Sequence, residues 1–379
     1  MATENNNKTL NVPNLRFPEF SGEWERCSLG DITTNFSRRN KEEVRYPMFS
    51  VTNNRGFVPQ SEQFEDREMV GEDIKAYKII HKNDFAYNPA RINVGSIAKY
   101  NGGEPCMISS LYVCFTADKR LDNEWLMQLL KTPKMNFYYN INGEGGVRVY
   151  LFYPNFARIK TSFPSLQEQQ KISSFLALLD ERIATQIKII EDLKKLKSAI
   201  RARVFKQLES NCECWTEIGN MLQYEQPSKY LVASTEYSDS YATPVLTANK
   251  AFILGYTDEE FGIYSKGECV IFDDFTMDVK FVNFPFKVKS SAIKILTANS
   301  GNDLYFVYEY LQNLGLVSEE HKRHYISEIE PMIVVCPTFE EQQNISNLLR
   351  SFDSKIECAN RELTLYNKQK QYLLSQMFI

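Results

Sequence analysis

The sequence predicts an α+β protein built by internal duplication, with two globular mixed α/β segments, each followed by a long helix. Three observations carry this. The stretch Pro164–Phe205 recurs as Pro337–Phe378, aligning without a gap at an offset of 173 residues. Under that offset Glu168, Gln169, Gln170, Ile172, Leu176, Asp180, Lys195 and Phe205 meet Glu341, Gln342, Gln343, Ile345, Leu349, Asp353, Lys368 and Phe378. A spacing far beyond any solenoid period indicates a duplicated domain rather than an array. Neither copy holds an internal Pro or Gly, and each carries one apolar stripe at helical spacing. The segment preceding each copy is rich in aromatics and short apolar runs broken by turn chemistry.

In each copy a proline fixes the approach. Ser165 with Glu168, and Thr338 with Glu341, form capping-box patterns that satisfy free amides at a helix start. The stripe runs Ile172, Leu176, Leu179, Ile183, Ile190, Leu193, Ile200 and Val204, echoed by Ile345, Leu349, Phe352, Ile356, Leu363, Tyr366, Leu373 and Met377. At about 1.5 Å per residue, such a helix runs about 60 Å. One stripe on a charged rod needs a partner, and the nearest is the other copy, packed as a coiled coil.

Residues 1–23 read as an Asn-rich lead-in whose later aromatics dock on the body of the protein. From 24 to 162 the runs Tyr46–Val51, Lys78–Ile80, Phe85–Tyr87, Ser96–Tyr100 and Tyr112–Thr116 read as strands. NNRG, KND, NPAR and NGGEP read as turns between them. A short helix over Asn123–Lys131 precedes a Gly-rich loop ending at Arg148, and a strand leads back to Pro164. Residues 163–212 form the first long helix, 213–336 the second globular domain and 337–379 the second helix. Trp215 and Gly219 echo Trp24 and Gly30, and Thr243–Asn249 echoes Tyr46–Asn53. The offset drifts in the globular segments and is constant in the helices, so selectivity belongs to the globular parts.

At 379 residues and 43% hydrophobic content the chain supports two domains with real cores. A net charge of −4 argues against a self-sufficient nucleic-acid binder, though not against local basic surfaces. The eight Cys are scattered without zinc spacing, as reduced structural thiols would be. The polar opening MATENNNKTL does not read as a signal peptide, and no run approaches the roughly 18 apolar residues of a membrane helix. A soluble, cytoplasmic protein is expected.

Catalytic motifs are not visible. Asn88-Pro89-Ala90-Arg91 begins like the Asn-Pro-Pro-aromatic motif of adenine methylation but departs from it after the proline, and reads as a turn. There is no GxxxxGK[ST] loop. Asp273, Asp274, Asp278 and Lys280 can be forced into a metal-nuclease pattern, but such clusters are common by chance. His321-Lys-Arg-His324 would place two imidazoles on one helix face, as some metal sites do, yet nothing at motif spacing completes the set. A basic patch is the better reading, and neither a catalytic residue nor a metal site is assigned.

The order globular, helix, globular, helix resembles the specificity (S) subunit of type I restriction-modification systems. The resemblance rests on Val12–Trp24, on Phe163–Ile172 and Cys336–Ile345 with their proline-then-Glu-Gln openings, and on Tyr87–Ser96 and Val270–Thr276. It covers essentially the whole chain. It implies two target-recognition domains separated by two long antiparallel coiled-coil helices, with internal pseudo-two-fold duplication. Each domain would read one half of a split sequence in double-stranded DNA, with helix length setting the spacer. Two methyltransferase subunits would dock on the helices, and two restriction subunits can join. S-adenosylmethionine, ATP and Mg are then expected on those partners, with no cofactor on this non-catalytic chain. The alternative is a coiled-coil assembly protein whose globular halves bind protein.

Base reading needs paired donors and acceptors, Arg or Lys to guanine and Asn or Gln to adenine, whereas phosphate contacts need only positive charge. The candidates are Asn53, Arg55, Arg91, Asn93 and Arg148 in the first domain. In the second they are Asn249, Lys250, Lys287, Lys289, Lys322, Arg323 and His324. The resemblance also makes Glu168, Gln169, Gln170, Glu341, Gln342 and Gln343 candidate partner contacts, although helix capping alone explains the glutamates.

Overall fold

The computed structural model describes residues 10–63, 74–145, 149–247, 252–318 and 323–379. The chain divides into two compact units, one of residues 1–185 and 362–379, the other of residues 186–361. Each long helix therefore contributes to both. Leu166–Asn211 and Phe339–Met377 are continuous helices.

The first unit holds a four-stranded antiparallel sheet in the order Thr33–Phe36, Val113–Ala117, Phe85–Tyr87, Ile97–Lys99. The second holds its counterpart in the order Leu222–Glu225, Ile293–Ala298, Cys269–Asp273, Val279–Val282. Alternation along these strands buries one face under the domain's helices, where Phe85 and Phe115 stack at 5.0 Å. Beside the sheet, each unit has a hairpin: Phe49–Thr52 with Gly56–Pro59, and Thr243–Leu246 with Ile253–Thr257. The two echoed glycines are places of close approach. A Cβ on Gly30 would sit 3.0 Å from Cβ of Ala157, and one on Gly219 would sit 2.7 Å from Cγ of Glu330.

The strands read from the sequence agree to within a few residues, but Glu25–Ser28, Thr33–Phe36, Gly56–Pro59 and Cys106–Ile108 were not among them, and two longer helices of the first globular segment also go beyond the sequence reading. Pro133–Asn142 starts on a Thr132 cap that accepts from Met135 N–H, and Tyr153–Arg158 lies before the return strand Lys160–Phe163. The first was obscured because its Asn- and Tyr-rich sequence has little apolar periodicity, although Thr132-Pro133 is itself a start signal.

In both units the long helices run antiparallel and join through the same contacts. Lys370 pairs with Asp180 in the first unit. Lys197 pairs with Asp353 at 2.6 Å in the second. These are equivalent residues of the repeat with roles exchanged. The echoed phenylalanines also do one job. Phe378 stacks on Trp125 of the Asn123–Leu130 helix at 5.7 Å, and Phe205 packs on Phe306 of the Leu304–Leu314 helix at 5.4 Å. Each seals a core: Trp24, Trp125, Leu176 and Met377 lie in one, Phe205, Phe306, Leu349 and Val335 in the other.

The lead-in docks as its aromatics suggested. Phe17 meets Phe175 edge-on at 5.7 Å, and Leu15 N–H donates to the carbonyl of Gln376. Among the described residues no helix is long and apolar enough to cross a membrane.

Candidate nucleic-acid interface

In the first unit, the tight hairpin after Thr52 creates the polar tip. Thr52 Oγ1 accepts from Arg55 N–H at 3.1 Å and donates to Gly56 O at 3.2 Å. Gly56 has φ +66° and Gly95 has φ +97°. A Cβ on Gly95 would lie 3.2 Å from the Asn53 carbonyl, so only glycine lets the 92–95 turn lie against the hairpin. Ser96 Oγ ties the two together by donating to Val51 O at 2.7 Å. The result brings Asn53, Arg91 and Asn93, three of the sequence candidates, onto one surface.

Asn53, Asn54, Asn88 and Arg91 line a cleft of 390 Å³. Asn53 and Asn93 line an adjoining cleft of 480 Å³ with Lys131 and Asn136. Arg55 lines a third, of 370 Å³, with Lys99 and Asn101. Arg55 also pairs with Glu62 at 2.9 Å, but both side chains are more than half exposed, so this surface pair is weak and easily exchanged. Asn88 Oδ1 accepts from Ala90 N–H at 3.0 Å, the turn role read from the sequence. Lys131 and Asn136 escaped the sequence reading. Their signal was the Thr132-Pro133 helix start, which places them on either side of it. Arg148 lies outside the described residues.

The second unit corrects two candidates. Lys287 is fully buried, with Nζ 2.8 Å from Glu259 Oε2 and donating to Phe261 O at 2.7 Å. Burial alone would raise the Glu259 carboxyl, but Lys287 and the amides of Ser234 and Ala233 outweigh it and hold it below the usual range. His324 is 2% exposed. Its ring nitrogens lie 2.9 Å from Glu328 Oε2 and 2.9 Å from Ser318 Oγ. The cause is Asp274, whose Oδ1 accepts the amides of His324 and Tyr325 at 3.0 and 2.9 Å and so draws this segment inward. Neither side chain faces solvent.

Arg323 and Lys289 are exposed, the latter with Nζ 5.9 Å from the Tyr237 ring. Asn249, Lys250, Lys322 and His321 lie outside the described residues. The acidic cluster is likewise structural. Asp273 Oδ1 accepts from Phe275 and Thr276 N–H at 2.7 and 3.0 Å, and Asp274 sits 3.5 Å from buried Lys294. Among the described residues no group of His, Cys, Asp or Glu could hold a metal ion.

At the helix starts the six partner-contact candidates divide. Gln169 and Gln342 are 0% and 1% exposed. Gln169 Oε1 accepts from Asp122 N–H at 2.8 Å, and its Nε2 donates to Pro164 O at 2.9 Å. Gln342 repeats this with Asp303 N–H and Pro337 O, both at 2.9 Å. Asp122 and Asp303 in turn cap the domain helices. These glutamines are internal latches, not surface contacts. Glu168 is also buried, bidentate to Arg16 at 2.8 and 2.7 Å, so only the hydroxyl half of its capping box forms. Glu341 closes the full box with Thr338, which holds its carboxyl below the ordinary range. Gln170, Glu341 and Gln343 remain exposed.

Residues 22–195 match the family model of the type I restriction modification DNA specificity domain. A specificity subunit of the type I restriction enzymes EcoR124I/EcoR124II from Escherichia coli is 41% identical over 176 residues. That match takes in 43% of this chain and 44% of the relative, less than half its length. The S subunit of a type I restriction-modification system from M. genitalium has TM-score 0.60 at 14% identity, over 97% of this chain and 99% of that one. A chain from a structure of a type I R-M system, concerned with complex assembly and conformational transition, has TM-score 0.59 at 14% identity, over 93% and 97%. At that identity the likeness is one of fold.

Proposed function

Through residues 22–195 this chain belongs to the type I restriction modification DNA specificity domain family, and we propose that it is the sequence-reading subunit of such a complex. In this reading each globular domain reads one half of a split DNA target. Methyltransferase subunits dock on the long helices, and restriction subunits can join them. The partners supply S-adenosylmethionine-dependent methylation of adenine and the ATP- and Mg-dependent steps. This chain supplies recognition alone and acts in the cytoplasm.

The observation that carries the reading is the repeated attachment of domain to helix. The glutamine latch, the Lys–Asp pair and the phenylalanine plug occur once in each unit. Two equivalently mounted domains with differing polar tips suit two separate half-site readings. Asn53, Arg91 and Asn93 offer the paired donors and acceptors that base edges require, while exposed Lys289 and Arg323 suit phosphates or bases in the other half.

The test replaces residues 24–162 with the corresponding domain of another specificity subunit and maps the sequence methylated by the reconstituted complex. A change confined to one half-site is expected. A change in both halves, or in neither, would overturn the reading.

A further inference from the structure

The two halves share one helix-pairing device but differ in how each domain contacts it. In the first unit the domain helix presents Gln128, whose Nε2 donates to Asp180 Oδ2 at 3.3 Å. Asp180 is paired with Lys370, and buried Leu374, one turn further along, lines the same cleft as Gln128 and Lys370. In the second unit the residue in the place of Gln128 is Glu309, fully buried. Lys197, equivalent to Lys370, lies 2.6 Å from both Glu309 and Asp353. Arg201, equivalent to Leu374, lies 3.3 Å from Glu309.

The charged groups differ between the halves. The first holds one carboxylate, Asp180, with the ammonium of Lys370 beside it and that of Lys131 on the same cleft. The second holds two carboxylates, one ammonium and one guanidinium. A buried charge without its partner is strongly unfavourable, whereas a neutral replacement of the pair is tolerated. Exchanging the domains would set two carboxylates against one lysine at one site and, with Lys131 carried along, one carboxylate against three cations at the other.

We infer that Glu309 with Arg201, and Gln128 with Leu374, form a matching key that restricts each globular domain to its own segment of the long helices. The key determines which domain mounts where, whatever each domain binds. A domain moved from one half of the chain to the other keeps the stability of its mounting only when residue 201 or 374 is changed to suit it.

The test is a mutant cycle on the full-length chain, read by thermal melting. Glu309→Gln and Arg201→Leu should each lower the melting temperature, by about 5 °C or more. The double variant recreates the neutral pairing of the first half and should melt within about 2 °C of the parent. A double variant that loses the sum of the two single losses would overturn the key. The reciprocal pair covers the case in which a single variant does not fold. Leu374→Arg alone should lower the melting temperature, and adding Gln128→Glu should recover at least half of that loss. If Gln128→Glu instead deepens the loss, the inference fails.

Discussion

Replacing Gln342 by Ala isolates one residue of the attachment device. The substitution removes the acceptor of Asp303 N–H and the donor to Pro337 O, both at 2.9 Å. Gln342 is 1% exposed, so water does not readily replace it. Each buried group left unpaired costs about 1–3 kcal/mol, which gives roughly 2–6 kcal/mol for the pair. For a unit of this size about 2–4 °C accompanies each kcal/mol, so the melting temperature should fall by roughly 4–24 °C. The assay is thermal unfolding followed by circular dichroism, with Gln343→Ala as the control. Gln343 is one residue along and exposed, and its substitution should stay within about 0.5 kcal/mol. Gln169→Ala should lower the melting temperature at least as much as Gln342→Ala, because Gln169 also reaches Arg120 O at 3.1 Å. Equal melting of Gln342→Ala and Gln343→Ala would refute the latch.

Other consequences concern the recognition surfaces and the buried charges. Arg91→Ala should weaken binding of the complex to its first half-site by roughly tenfold to a hundredfold, following about 1–3 kcal/mol for a bidentate base contact. A fluorescence-anisotropy titration against DNA altered in one half or the other would check it. Glu259, held low mainly by Lys287 against the effect of burial, adds stability that is present above its unfolded pKa, about 4.3. That stability is lost as pH falls through its lower folded value, so Glu259→Gln should flatten the acid limb of a pH–stability curve. The thiols of Cys106, Cys114 and Cys269, pushed up to about 12 chiefly by burial, should resist iodoacetamide at neutral pH while exposed Cys214 and Cys358 react. Mass spectrometry of the alkylated chain reads this directly.

The helices were legible because their signal is local and repeated. Proline, capping box and an unbroken stripe occur twice, and the registry of Phe205 with Phe378 is the registry of the packing. The polar tip around Asn53 was legible because NNRG between apolar runs specifies a hairpin turn. The errors have one physical cause, that polarity in the sequence does not report burial. Lys287 reads as a surface cation, yet Glu259 and Phe261 O hold it inside. His324 sits in a basic run, yet Asp274, fifty residues earlier, binds its amide. Gln169 and Gln342 look like free helix-start side chains, and only the cap of a distant helix shows their role. The Glu309–Arg201 contact joins residues more than a hundred positions apart, so no local pattern announces it.

In the proposed reading this chain sets the sequence that a methyltransferase modifies. Single-molecule sequencing of methylated adenines, in cells with and without the gene, tests it most directly. One split motif with a fixed spacer should lose its methylation when the gene is removed and regain it on complementation. An unchanged pattern, with the cognate methyltransferase expressed, would contradict it.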